Sequence, residues 1–212
     1  ENKEHFYGQF RINFLQIREL FAENRAYLND EVFTPLKDID AISEEKAQEL
    51  LELSDHLAYT ETLEMVDVRL AFFIVNALEP YYEKRGNREK YIHCLFRREM
   101  LAYNVGQIFD RGRLTDALAG RYRGYILACA EKASVFLDDV DGFAALPDKT
   151  QEELLSIELF RATGYERPYY DEPLILRQIG SYQRYIRRLL DPEIRKAAPN
   201  IKWDKQLYSA YT

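Results

Sequence analysis

Apolar residues recur at intervals of three and four along almost the whole chain, and this period constrains the fold more than any other feature. Phe6, Phe10, Phe14, Ile17 and Phe21, for example, would form one stripe on a helix. The 212 residues include only 9 glycines and 7 prolines, too few for the frequent turns of an all-β protein. The sequence therefore predicts an all-α fold.

Capping and turn residues divide this pattern into about seven main helices. Ser43 before two glutamates is typical of a helix N-terminus, and Pro173 suits a first helical turn. Asn29-Asp30 and Pro35 should end the first helix, and Pro80 should kink or end the third. We place the helices at about residues 5–29, 43–58, 61 to Pro80 or shortly beyond, 88–109, 114–137, 149–163 and 173–190.

Two of the predicted helices have informative faces. The fourth carries apolar residues on two faces, which indicates that it lies between neighbouring helices. On the seventh, Arg177, Arg184 and Arg188 share a face that would either grip an acidic partner or lie in solvent, paired with nearby acids. The apolar stripe of the seventh helix is Ile175, Ile179, Tyr182, Ile186 and Leu189.

Two segments, 81–91 and 106–118, share a pattern in which aromatic residues close one helix and a turn glycine precedes a charged first turn of the next. This pattern resembles the inter-helix turn of tetratricopeptide-type repeats. Gly86 and Gly112 are 26 positions apart, shorter than the repeat of about 34 in that family. The resemblance implies antiparallel helical hairpins stacked as a superhelix over residues 1–190, with 191–212 as a tail or linker.

The phrase Tyr-Tyr-Glu-Lys-Arg-Gly-Asn-Arg-Glu-Lys-Tyr-Ile at 81–92 is similar to the helical N-terminal regions of bacterial proteins that end in GGDEF diguanylate cyclase domains. Those regions are sensory or protein-docking inputs, so the resemblance implies an input module. The sequence has no GGDEF, EAL or HD-GYP motif, and the resemblance therefore implies no enzymatic activity for this stretch. Because the chain begins Glu1-Asn2-Lys3 without Met, we expect it to be part of a longer protein.

No residue pattern predicts a catalytic or metal site, and we expect no cofactor. His5, His56 and His93 lie outside the HExxH and Glu-x-x-His spacings, and Cys94 and Cys129 are expected in the core. No GxSxG or phosphate-binding loop is present. The acidic run at 138–142 lacks the first and last ligands of a calcium loop and is better interpreted as a helix stop.

Charge, hydropathy and composition indicate which classes of partner and which compartment to expect. A net charge of −7 argues against nucleic-acid binding, and the longest apolar run, 70–75, is too short to insert in a membrane. Two cysteines without a CxxC spacing favour the reducing cytoplasm. The surplus of 16 Tyr and 12 Phe favours a homodimer.

The predicted function is non-catalytic docking or sensing for an attached signalling domain, through a concave groove that takes a protein, a peptide or a small ligand. Arg97 and Arg98 interrupt an apolar helix and require either a water-filled groove or ion pairs with residues such as Glu99. Alternatives are a helical bundle with an enclosed aromatic pocket, a free-standing adaptor, and an enzyme with a dispersed site. The candidate groove residues are Arg97, Arg98, Tyr103, Arg121 and Tyr125.

Overall fold

The computed structural model describes residues 28–58, 65–109, 128–163 and 172–211. Every regular element in these ranges is a helix and none is a strand, which confirms the predicted all-α class. The chain divides into two compact units, Glu1–Asn87 and Arg88–Thr212. The tetratricopeptide-like stacking stays a prediction.

The first unit contains a π-helical turn, Leu28–Phe33, and then helices α1 (Thr34–Lys37), α2 (Glu44–Ala58) and α3 (Met65–Lys84). The predicted helix end at 29–35 is wrong, because the chain stays helical through these residues. Pro35 lies in the first turn of α1, a helical position that proline commonly takes. The rest of the predicted helix 5–29 lies outside the described residues.

Helices α2 and α3 pack against each other and form the core of this unit. The predicted N-cap is confirmed, since the Lys46 backbone N–H donates to Ser43 Oγ at 3.1 Å. Edge-to-face contact between the rings of Phe33 and Phe73, with centroids 5.5 Å apart, joins the π-helical turn to α3. The fully buried apolar side chains include Ala47, Leu57, Ala71, Ile74, Val75 and Leu78.

A glycine turn closes α3. A kink or an end was expected at Pro80, and the end is wrong, because the helix continues to Lys84; the proline is exposed and its ring does not have to fit the core. The Asn87 N–H donates to the Tyr82 carbonyl and the Gly86 N–H to the Glu83 carbonyl, both at 3.1 Å. With a φ of 68° at Gly86, these two bonds form a Schellman motif at the predicted turn.

The second unit has seven helices among its described residues. The bounds predicted for α4, α7 and α8 are confirmed to within one residue, and the described part of the fifth predicted helix is helical to 138 as expected. These helices are α4 (Arg88–Phe109), α5 (128–138), α6 (Val140–Ala144), α7 (Asp148–Thr163), α8 (Glu172–Leu190), α9 (Pro192–Ala197) and α10 (Trp203–Tyr211).

Helix α7 lies at the centre of the second unit. Both α4 and α8 pack against it, and its residues 153–155, 157 and 158 are all buried. In α4 the five consecutive residues 91–95 are buried, as expected for a helix with two apolar faces. Cys94 and Cys129 are free and fully buried, which confirms their predicted place in the core.

The acidic run between α5 and α6 has structural uses. Asp139 caps α6 by accepting a hydrogen bond from the Gly142 N–H at 3.0 Å, and Asp138 pairs with Arg188 of α8. The predicted helix stop is therefore confirmed.

The expected tail forms two short helices that pack on the second unit, α9 against α6 and α10 against α8. Asp191 caps α9 by accepting from the Glu193 N–H at 2.9 Å, and Trp203 Nε1 donates to the Ala198 carbonyl at 3.1 Å. The boundary expected at residue 190 stays a prediction. None of the helices in the described ranges combines the length and apolar character that crossing a bilayer requires.

Candidate docking surface

Helix α8 buries one face against α7 and α10. Ser181, Tyr185 and Leu189, four residues apart, are the buried positions of this face. The apolar stripe expected from the sequence shares only Leu189 with it, because Tyr182 and Ile186 are half-buried and Ile179 is exposed. The side chain of Ile175 lies outside the described residues. The buried face is thus rotated from the one that the sequence indicated.

A second face of α8 exposes large apolar side chains. Leu176 is 62% exposed, Ile179 48% and Leu190 56%, while Ile186 is half-buried. Together with the exposed Gln183 they are spaced by three, four, three and four residues, the pattern of a helix-packing seam. From Leu176 to Leu190 the seam is about 21 Å long at the rise of an α-helix. We call these five residues the α8 stripe.

Two exposed arginines lie beside this stripe. At about 100° per residue, Arg187 lies about 20° and Arg184 about 80° beyond Leu176, both on the same side of the stripe. Neither forms an ion pair with any residue in the part of the chain that the structure describes. Helix α8 contains four arginines and one acid, Glu172, in a chain whose net charge is −7. The stripe therefore has a locally basic edge.

A buried ion pair holds α8 in place. Arg188 Nε donates to Glu158 Oε1 of α7 at 2.7 Å, and Arg188 Nη2 donates to Asp138 Oδ1 at 2.8 Å. Burial alone would lower the pKa of Arg188, but the charges of Glu158 and Asp138 and their hydrogen bonds outweigh burial and raise the pKa. Arg188 thus stays charged and fixes the C-terminal end of α8.

Further contacts anchor the same end of the helix. The Tyr185 hydroxyl donates to Gln206 Oε1 of α10 at 3.3 Å, and Arg195 Nε donates to the Leu189 carbonyl at 2.6 Å. Burial, followed by the nearby charge of Glu158, raises the pKa of Tyr185 well above its usual range. The stripe is therefore the outer surface of a helix whose inner surface is firmly packed.

The residues predicted to line a groove can be located only in part, and among those located Arg97 is the buried one. Arg97 is 1% exposed, with its guanidinium 5.7 Å from the centre of the Phe96 ring and its Nη1 donating to Met100 Sδ at 3.5 Å. It therefore lies inside the packing rather than along an open groove. Arg98 is half-buried. The side chain of Tyr103, and Arg121 and Tyr125 entirely, lie outside the described residues, so their role stays a prediction.

Polar side chains are also buried between α4 and α7. His93 Nδ1 and Glu153 Oε1 are 2.7 Å apart with both side chains buried, and the Lys149 Nζ lies 3.7 Å from the same oxygen. His93 therefore has a structural partner in α7. Within the described ranges, no three His, Cys, Asp or Glu side chains are arranged to hold a metal ion.

The first unit has a surface cleft of about 360 Å³. Lys46 lies in it and bridges Glu31 at 2.7 Å and Glu49 at 3.1 Å. Burial opposes the charge of Lys46, but its hydrogen bonds to both glutamates and their charges raise its pKa. No Phe, Tyr or Trp lines this cleft, unlike the aromatic pocket expected in a ligand-binding bundle. Its lining is Glu31, Lys46, Glu49, Leu50, Glu52, Leu53 and His56.

The α8 stripe was missed at the level of sequence because apolar residues occupy more than half of the helix circumference. The sequence feature that identifies it is an alternating spacing of three and four residues. This spacing places one set of residues on a different face of the helix from the buried residues 181, 185 and 189; the set is 176, 179, 183, 186 and 190. Comparisons of the chain with protein-family models, with curated proteins and with solved structures found no match.

Proposed function

We propose that this chain is a non-catalytic docking module that receives a partner on the α8 stripe and regulates an attached signalling domain. The observation that carries this proposal is the contrast between the two faces of α8, one fully buried and the other with three large apolar side chains at least 48% exposed. Large exposed apolar residues aligned on one helix face beside polar residues are typical of interaction surfaces. Fully burying an exposed leucine or isoleucine side chain contributes about 1.5–3 kcal/mol, so covering these half-exposed side chains would contribute about half as much each.

The anchoring of α8 supports the same proposal. A helix already held by Arg188, Tyr185 and Arg195 loses little conformational freedom when a partner binds, so less of the binding energy is spent on ordering. Side chains on such a helix are also held in a fixed relative position. The stripe is suited to a specific, preformed contact.

The attached output domain is proposed from the resemblance at residues 81–92, which spans the end of α3, the Gly86 turn and the start of α4. We take it to be a cytoplasmic diguanylate cyclase of a bacterial signalling protein. A GGDEF domain encoded after Thr212 would support this assignment. Its absence would favour a free-standing adaptor, and a small molecule bound with its surface enclosed would favour a ligand-binding bundle.

The docking proposal is tested in the full-length gene product with the double variant L176Q/I179Q. We expect the output of the attached domain, measured as cyclic di-GMP per molecule of protein, to change by about fivefold or more, the lower end of typical coupling between sites. Both residues are exposed, so the variant should fold.

The matched control is V135Q, because Val135 on α5 is 67% exposed and lies outside the stripe. It should leave the output unchanged. An equal output for L176Q/I179Q and the wild type would contradict the regulatory role of the stripe, provided that circular dichroism shows both proteins folded.

A further inference from the structure

We propose that the partner received by the α8 stripe is an acidic amphipathic helix, whose apolar side chains pack along the stripe and whose carboxylates pair with Arg184 and Arg187. This inference rests on the proposed docking function. It deepens that proposal by assigning the chemical class and the secondary structure of the partner.

The spacing of the apolar residues indicates a helix. Side chains repeating at three and four positions form a ridge that fits the groove of a second helix at a crossing angle of about +20°. An extended strand would instead require contacts at every second residue. The length of the stripe corresponds to about 14 residues of a partner helix.

Charge complementarity indicates that the partner is acidic. Arg184 and Arg187 are exposed on one edge of the stripe and make no ion pair within the described ranges, whereas Arg188 is already paired with Glu158 and Asp138. Guanidinium groups bind carboxylates with two parallel hydrogen bonds. The chain as a whole has a net charge of −7 and would repel an acidic partner, whereas this edge attracts one locally.

The same charges disfavour a second copy of this chain as the occupant. Two α8 helices packed antiparallel along their stripes would bring the exposed arginines of both copies to the same edge of the interface, where like charges repel. Gln183, in the middle of the stripe, restricts how far a partner helix can slide along α8. A polar residue within an apolar seam is satisfied when the partner places a hydrogen-bonding side chain at the same level.

The test uses the full 212-residue chain and two fluorescent synthetic helical peptides. Both have Leu at heptad positions a and d and one Asn at a central a position, and they differ only in Glu or Lys along the flanks. We expect the Glu peptide to bind at least about tenfold more tightly than the Lys peptide by fluorescence anisotropy, and added salt to reduce this preference.

Three variants connect the binding to the stripe. R184E/R187E should reverse the preference toward the Lys peptide, because it inverts the charge of the edge while the apolar seam is intact. L176Q/I179Q should weaken the Glu peptide by about tenfold or more, since two apolar contacts are lost. V135Q, the matched control, should bind as the wild type does.

The outcomes separate this inference from the docking proposal. Equal affinity for the two peptides, or an unchanged preference in R184E/R187E, would overturn the acidic class. If neither peptide binds but L176Q/I179Q still changes the output of the full-length protein, the acidic helix is wrong and the docking function stands. A concentration-dependent dimer that sedimentation detects in the wild type and not in L176Q/I179Q would identify a second copy as the occupant and overturn the inference.

Discussion

Arg188 of α8 donates to the buried carboxylate of Glu158 in α7 at 2.7 Å, while Arg187, its neighbour in sequence, is exposed beside the α8 stripe. Two consecutive arginines therefore lie in different environments. Arg188 holds the helix from within the unit, and Arg187 faces the solvent, where the proposed partner binds. The pair provides an internal comparison for mutagenesis.

Replacing Arg188 with Ala should lower the free energy of unfolding of the second unit by about 3 kcal/mol, because Glu158 would lose its cation in a buried site. Unfolding in urea can be followed by the fluorescence of Trp203, the one tryptophan of the chain, which lies in α10 of this unit. Arg187→Ala should change the same quantity by no more than about 0.5 kcal/mol. Equal effects of the two substitutions would contradict the structural role of Arg188.

Tyr185 should make the second unit sensitive to alkaline pH. Its pKa is raised in the folded chain, so above the ordinary value of 10.0 the unfolded chain releases the proton while the folded chain retains it. Stability from this residue is fully present below pH 10.0 and declines as the pH rises further. Tyr185→Phe should therefore lose less stability than the wild type between pH 8 and pH 11, measured by the urea unfolding of Trp203 fluorescence; parallel losses would disprove the assignment.

Gly86 should resist substitution because of its backbone conformation. Its φ of 68° lies in the left-handed region, where an L-residue with a Cβ costs about 1–2 kcal/mol. Gly86→Ala should lower the midpoint of the thermal unfolding of the first unit, measured by circular dichroism. Gly86→Asn is the control and should cost less, since asparagine tolerates this conformation. The Schellman assignment would fail if Ala and Asn were equivalent.

Gly180 should respond in the opposite direction. It lies in the interior of α8, and a Cβ added there meets no atom within 4 Å. Gly180→Ala should raise the stability of the second unit by about 0.5–1 kcal/mol, because alanine loses less backbone entropy in a helix. Trp203 fluorescence in urea measures the change, and a loss of stability would show that the space beside Gly180 is filled.

Local signals determined which parts of the fold could be predicted. Ser43 marks the N-terminus of α2, Pro173 the first turn of α8 and Gly86 the end of α3, and each acts through the backbone of its own segment. The continuation of α3 past Pro80 was not predictable from the proline alone, because the remaining helix is held by tertiary contacts. Tyr81 and Tyr82, directly after the proline, are buried in the core.

The candidate site depends on contacts between segments, and these are not encoded locally. Ile179 and Tyr185 both suit an apolar face of α8, and only the packing of α7 and α10 decides that Tyr185 is buried and Ile179 exposed. The burial of Arg97 also depends on its neighbours, because its place on α4 is compatible with either a groove or an enclosed position among ion pairs. The hydrophobic period identifies the helices, but which face of each helix is buried depends on the helices that pack against it.

The enclosed position of α7 has a mechanical consequence. Arg188 ties α8 to α7, and α4 also packs against α7. A tilt imposed on α8 should therefore also displace α7 and, through α7, the helix α4.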